Sequence, residues 1–181
     1  ADINLEIGSG THAEQVGKTM IAFEKTLKLE KPDWVVVVGD VNATLACSVT
    51  AKKMNIKVCH IESGLRSRDE SMPEEINRLV TDRLSDLLLA PDEISIQNLK
   101  DEGVAPHRIE FVGNIMIDTL DANIVEAKKV SLSNVILRNY IESQSDEKLE
   151  KLNSFGVITM HRPSNVDSKR ILTNIVKFFS N

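Results

Sequence analysis

The run Trp34-Val35-Val36-Val37-Val38 constrains this chain more than any other stretch, because five consecutive apolar, mostly β-branched residues without polar alternation read as a strand of a parallel sheet covered on both faces. Further strands are expected at residues 57–62, 87–90, 108–112 and 156–160. Helical periodicity falls between them, at residues 12–29, 44–54, 74–86, 95–101 and 115–129. Strand and helix alternate throughout, which argues for βαβ units with right-handed crossovers and therefore for an α/β, doubly wound parallel sheet. With 41% hydrophobic residues among 181, the chain can bury an ordinary core.

From about residue 121 to 152 the pattern becomes helical and polar, and Glu142-Ser143-Gln144-Ser145-Asp146-Glu147 reads as a hinge or a connection between helices. We expect residues 1–150 to form one domain with its connecting helices and residues 151–181 to begin a second. A second unit of one strand and one helix, the latter from about Lys169, cannot close a core, so the natural protein is expected to continue. The 27 acidic and 22 basic residues are interspersed, which disfavours nucleic acid as a partner. No apolar run approaches the roughly 18 residues of a membrane helix, and Ala1-Asp2-Ile3-Asn4 does not resemble a signal peptide. A cytoplasmic enzyme without membrane attachment is expected. Cys47 and Cys59, among apolar neighbours and without CxxC spacing, read as reduced core thiols.

Ligands of open parallel sheets bind outside the carboxyl ends of the strands. That edge collects Asp40 after the Val35 to Val38 run, Glu62 at the end of the second strand, Asn114 after Val112-Gly113, and His161 after the last strand. Asp40 also suits a helix cap, and Glu62 a surface strand end. Pro73 fits the first position of a helix, which puts Glu74 and Glu75 in its first turn, where a carboxylate stabilises the helix dipole or perturbs the ionisation of a neighbouring acid. His12 and His107 read as surface residues outside any cluster. His60, two residues before Glu62, shares its side of the strand, but a third metal ligand is missing. His161-Arg162-Pro163 differs: an imidazole beside a guanidinium suits a diphosphate. Gly8-Ser9-Gly10-Thr11-His12-Ala13 fits a dinucleotide-binding glycine pattern, although the preceding Asn4-Leu5-Glu6-Ile7 is short and charged for the buried strand that motif requires.

Taken in order, Gly39-Asp40-Val41-Asn42-Ala43-Thr44, His60-Ile61-Glu62-Ser63-Gly64-Leu65-Arg66, Pro73-Glu74-Glu75-Ile76-Asn77-Arg78, Val112-Gly113-Asn114 and His161-Arg162-Pro163 closely resemble the UDP-N-acetylglucosamine 2-epimerase family, over almost the whole chain. The resemblance implies two Rossmann-like domains in a GT-B arrangement, a homodimer, and no nicotinamide or other cofactor and no metal. For the non-hydrolysing type it implies interconversion of UDP-N-acetylglucosamine and UDP-N-acetylmannosamine, by elimination of UDP and re-addition with inversion at C2. Asp40, Glu62, Glu74 and His161 then match the catalytic residues, and Asp40, Glu62, Arg66, Asn114, His161 and Arg162 are expected to contact the UDP-sugar. The family's first strand, with its glycine-threonine-arginine-proline motif, and most of its uridine-binding domain have no counterpart here. The isolated chain is accordingly expected neither to turn over nor to bind UDP tightly. A hydrolysing epimerase, a GT-B glycosyltransferase and a non-catalytic nucleotide-sugar sensor are the competing readings.

Overall fold

A computed structural model describes residues 2–131, 135, 157–160 and 163–180. The chain divides into two compact units, 1–124 and 125–181. The boundary expected near residue 150 lies outside the described residues.

In the first unit, β1 (Trp34–Val38), β2 (Lys57–Ile61), β3 (Leu87–Ala90) and β4 (Ile109–Phe111) form one sheet in the order β1-β2-β3-β4, every neighbouring pair parallel. Between and before them run α1 (His12–Glu30), α2 (Asn42–Lys53), α3 (Pro73–Leu84) and α4 (Glu93–Asp101), with a 3-10 turn at Pro106–Arg108. α5 (Ile115–Ala127) follows β4. The expected alternation is therefore present.

One expectation about β1 is corrected. Its side chains alternate, with Val35 and Val37 buried while Trp34, Val36 and Val38 are 41%, 58% and 52% exposed, so the described residues cover one face of this strand and not both. Four consecutive valines carry no mark of which side the helices will take. The covered face holds Leu27 of α1, Val35, Val37, Ala51 of α2 and Val58 in one apolar cluster, and Leu88, Ala90, Leu99 and Val104 in a second. The strand register sets His60 of β2 beside Val37 of β1 and Leu88 of β3, so a wholly buried imidazole separates the two clusters.

The helix ends follow local chemistry. Thr11 caps α1, accepting from the Glu14 amide while the Glu14 carboxylate accepts from the Thr11 amide, and Lys31 closes the helix in the left-handed region. Asn4–Ile7 forms no strand, which removes the first element that the dinucleotide pattern needs. Pro73 opens α3 at its first turn, as expected. That helix is amphipathic in reverse: Glu75, Asn77, Thr81 and Asp82 are buried, while Ile76 and Val80 are exposed.

In the second unit, residues 157–160 lie outside any strand, contrary to the strand expected at 156–160; residue 156 is outside the described residues. α6 (Pro163–Val166) and α7 (Lys169–Ser180) follow, with Ile171, Leu172 and Ile175 of α7 half-buried. No helix among the described residues is long and apolar enough to cross a membrane.

Candidate active site

The sheet ends at its carboxyl edge in two turns that matter, after β1 and after β2. After β1 the chain turns at Gly39, whose φ of +69° lies in the left-handed region. The strand ladder cannot reach the carbonyls of this turn, and side chains take its place. The Thr44 hydroxyl donates to the Val38 carbonyl at 2.9 Å, His60 Nε2 meets the Gly39 carbonyl at 2.8 Å, and the Asn77 amide donates to the Asp40 carbonyl at 2.9 Å. Three consecutive carbonyls are thus held by three different elements, which fixes the backbone from which the Asp40 side chain projects.

After β2, Glu62 is half-buried and itself adopts a left-handed φ of 68°, an uncommon conformation for a residue with a side chain. Its carboxylate lies against Gly39, 3.6 Å from where a Cβ on that glycine would stand, so the Glu62 acid sits beside the residue that precedes Asp40. Gly64 completes the turn at φ +82° with its Cα side pressed on α4; a Cβ there would fall 2.4 Å from the Ser95 carbonyl oxygen.

Beneath the edge lies a chain of hydrogen-bonded polar side chains. His60 Nδ1 is 2.6 Å from Asp82 Oδ1, and Asp82 Oδ2 accepts from the Gly64 amide at 3.0 Å and from Arg66 at 2.7 Å. Arg66 also makes a two-pronged contact with Glu102, at 2.7 and 2.6 Å. Burial works against the Arg66 charge, and its bonds to Glu102 and the charge of Asp82 more than offset that, so its pKa is raised further. The Arg66 side chain is only 4% exposed. The guanidinium expected to contact the UDP-sugar is here engaged with the protein's own acids.

The remaining expected residues are placed as follows. Glu74 is exposed in the first turn of α3, one helical turn before Arg78, whose guanidinium pairs with Asp40 and approaches Glu75 at 3.7 Å. Glu75, not Glu74, is the buried member: it accepts from Ser67 and Arg68 amides at 2.9 and 3.0 Å and from the Ser67 hydroxyl at 3.0 Å. Burial pushes its pKa up, but these donors and the charge of Arg66 outweigh it and hold the carboxyl below the usual range. Asn114 follows β4 and uses its side chain on the Met116 amide at 2.9 Å, capping α5. His161 and Arg162 lie outside the described residues. His12, expected to stand apart, is exposed yet reaches the Asn42 side chain at 3.1 Å, and Asn42 also bonds Gln15 at 2.7 Å and Asn77 at 3.2 Å. From the residues alone His60 is weighed only as a metal ligand, Asn77 and Arg78 stand in a family motif without a stated role, and Asp82 is not singled out. The signal that could have found them is the polar face of α3, where Glu75, Arg78 and Asp82 follow helical spacing. No cluster of metal-binding side chains occurs among the described residues.

A parallel sheet with carboxylates gathered where β1 and β2 end makes this a Rossmann-like α/β domain of the kind that builds GT-B proteins, and the closely similar solved structures share it. The chain belongs to the UDP-N-acetylglucosamine 2-epimerase family, whose model matches residues 1–181. It is 45% identical over 174 residues to the UDP-N-acetylglucosamine 2-epimerase of Methanocaldococcus jannaschii, covering 96% of this chain and 45% of that protein. The UDP-2,3-diacetamido-2,3-dideoxy-D-glucuronate 2-epimerase of Pseudomonas aeruginosa is 36% identical over 178 residues, covering 97% and 46%. The crystal structure of the M. jannaschii enzyme in complex with UDP-GlcNAc and UDP superposes with a TM-score of 0.81 at 44% identity, over 96% of this chain and 45% of that one. The Neisseria meningitidis enzyme bound to UDP-GlcNAc gives 0.70 at 32%, over 80% and 40%. The chain thus spans about half the length of the curated relatives it matches.

Proposed function

We infer that this chain supplies the acid-bearing wall of a non-hydrolysing epimerase that interconverts UDP-N-acetylglucosamine and UDP-N-acetylmannosamine, working as a homodimer. The observation that carries this reading is the placement of Asp40 and Glu62 just after the paired ends of β1 and β2, with the Glu62 carboxylate against Gly39, in a chain of this family.

The chemistry asks for what these residues offer. The C2 hydrogen of the bound sugar is not acidic, so the bond from the anomeric carbon to the diphosphate oxygen must lengthen as the proton leaves. Its electron pair goes to UDP, the C2 proton goes to a carboxylate, and a C1–C2 double bond remains. Carboxylates beside the ring stabilise the positive charge that builds at the anomeric carbon and take or return the proton. Asp40, Glu62 and Glu74 are assigned to this work, and His161 with Arg162 to the departing diphosphate. Re-addition of UDP to C1, with a proton delivered to the opposite face of C2, gives the epimer. Asn114 is assigned to the substrate through its position after β4, and Arg66 to holding the Glu62 turn through Asp82.

The test is incubation of a full-length enzyme carrying this sequence with UDP-N-acetylglucosamine in deuterated water, following C2 by NMR. Deuterium at C2 with UDP still attached supports the reading. Release of free N-acetylmannosamine and UDP supports a hydrolysing epimerase instead, and an absence of exchange defeats both. The resemblance to the diacetamido-glucuronate epimerase makes that sugar nucleotide the second substrate to try.

A further inference from the structure

We propose that His60 is a positioning residue for this reaction: it locks the Gly39–Asp40 peptide, and the buried Asp82 and Arg66 behind it, tied to Glu102 at the surface, hold it in the donating state that the lock requires. The inference rests on the assignment of Asp40 to the chemistry.

A carbonyl oxygen only accepts, so the 2.8 Å contact between His60 Nε2 and the Gly39 oxygen fixes a hydrogen on Nε2. The other nitrogen, Nδ1, faces Asp82 Oδ1 at 2.6 Å, a contact that also contains a hydrogen. Asp82 cannot turn away, because Arg66 and the Gly64 amide hold its second oxygen. Arg66 is held in turn by Glu102. The line Glu102, Arg66, Asp82, His60 therefore ends on one backbone oxygen, next to Asp40.

The lock has something to hold. Gly39, at φ +69° and without a Cβ, leaves the following peptide free to rotate at small cost, and rotation of that peptide would change the direction in which Asp40 projects from the turn. Thr44 and Asn77 hold the carbonyls on either side. His60 holds the one that glycine leaves loose.

Space filling does not account for the arrangement. The imidazole is 0% exposed and sits between Val37 and Leu88 in the strand register, where an apolar side chain would join the two clusters into one. Burying an imidazole, a carboxylate and a guanidinium in such a place is often less stable than apolar packing, which points to a gain in geometry.

The experiment compares His60→Phe, which keeps bulk and removes the donor, with His60→Gln, whose amide can reach the Gly39 oxygen, in the full-length enzyme. For C2 exchange we expect kcat of the Phe variant to fall about 10-fold to 100-fold with KM within about threefold, and the Gln variant to recover at least about fivefold of the loss. A Phe variant that folds and keeps kcat within about twofold overturns the proposal, as does a Gln variant no better than Phe. The ring nitrogens of His60 in the unmodified enzyme give a readout that needs no variant to fold. A protonated Nε2 whose hydrogen exchanges slowly with water is expected, and a bare Nε2 overturns the proposal. Absence of C2 exchange in the unmodified enzyme would instead remove the functional assignment and leave the NMR result standing.

Discussion

Arg78, on the buried side of α3, pairs its guanidinium with the carboxylate of Asp40, 38 residues earlier in the chain, in the turn after β1. Both side chains are largely withdrawn from water, at 13% and 27% exposure, so the pair fixes geometry more effectively than a surface ion pair. We predict that Arg78→Met lowers kcat/KM for C2 exchange by roughly 10-fold to 100-fold, the equivalent of about 1.4 to 2.8 kcal/mol. Arg78→Lys restores the charge without the planar fork and should recover only part. An Arg78→Met enzyme with unchanged kcat/KM would mean that Asp40 needs no partner to be placed.

Gly64 should tolerate no side chain. A Cβ would stand 2.4 Å from the Ser95 carbonyl oxygen and 2.9 Å from its carbon, and the φ of +82° is unfavourable for any L residue. Backbone atoms cannot yield as a side-chain tip does. Gly64→Ala should cost more than about 2 kcal/mol, lowering Tm by at least about 4 °C for a domain of this size. Thermal unfolding followed by circular dichroism decides it; a Tm within a degree of the original would show that α4 moves aside.

Much of this was readable in the residues. The valine run, the alternation of strand and helix, and the strand-end acids at 40 and 62 all follow from local pattern, because a parallel strand and a helix each impose a short period. Two things did not follow. Which face of β1 is covered depends on the handedness and landing of connections far along the chain, so Val36 and Val38 look no different from Val35 and Val37. The line from Glu102 to His60 depends on partners 36, 16 and 22 residues apart, and Arg66, Asp82 and Glu102 have the composition of ordinary surface charges. The reversed face of α3 was the available hint: Ile76 and Val80 repeat at helical spacing but face water, which tells that the other side of the helix has polar work to do.

Acid should weaken the first unit through Glu75 and Asp86. For Asp86, burial raises the pKa, while the hydrogen bonds from Lys52 and the Val58 amide and the charges of Lys52 and Arg108 together lower it by more. Both folded-state values therefore lie below those of the unfolded chain, about 3.9 for Asp and 4.3 for Glu. The unfolded chain takes up protons first as the pH falls, so their contribution is complete above about pH 5 and is lost as pH drops through the folded values. Urea midpoints measured at pH 7, 5, 4 and 3 should be level between the first two and then decline. Glu75→Gln should flatten that decline; an unchanged slope would mean that other acids carry it.

Cys47 should resist thiol reagents. Burial pushes its thiol up to about 11 from a model-compound value of 9.0, and Cys59, which is buried, is also raised. At pH 8 the Cys47 thiolate fraction is then about 100-fold below that of an unperturbed thiol. Alkylation by iodoacetamide at pH 8 should be slow by about that factor in the folded protein and become rapid in urea. Equal rates in both states would show that the site opens readily.

The left-handed backbone at Glu62 sets stability against function. A residue with a Cβ at φ 68° carries strain of order 1 kcal/mol that glycine does not, so a chain selected for stability alone would place glycine there. Glu62→Gly should therefore leave Tm unchanged or raise it by up to about 4 °C. C2 exchange should fall below detection in the same protein, because the carboxylate that faced Gly39 is gone. A variant that loses both stability and exchange would mean that the Glu62 side chain holds the turn, and the strain would then need another explanation.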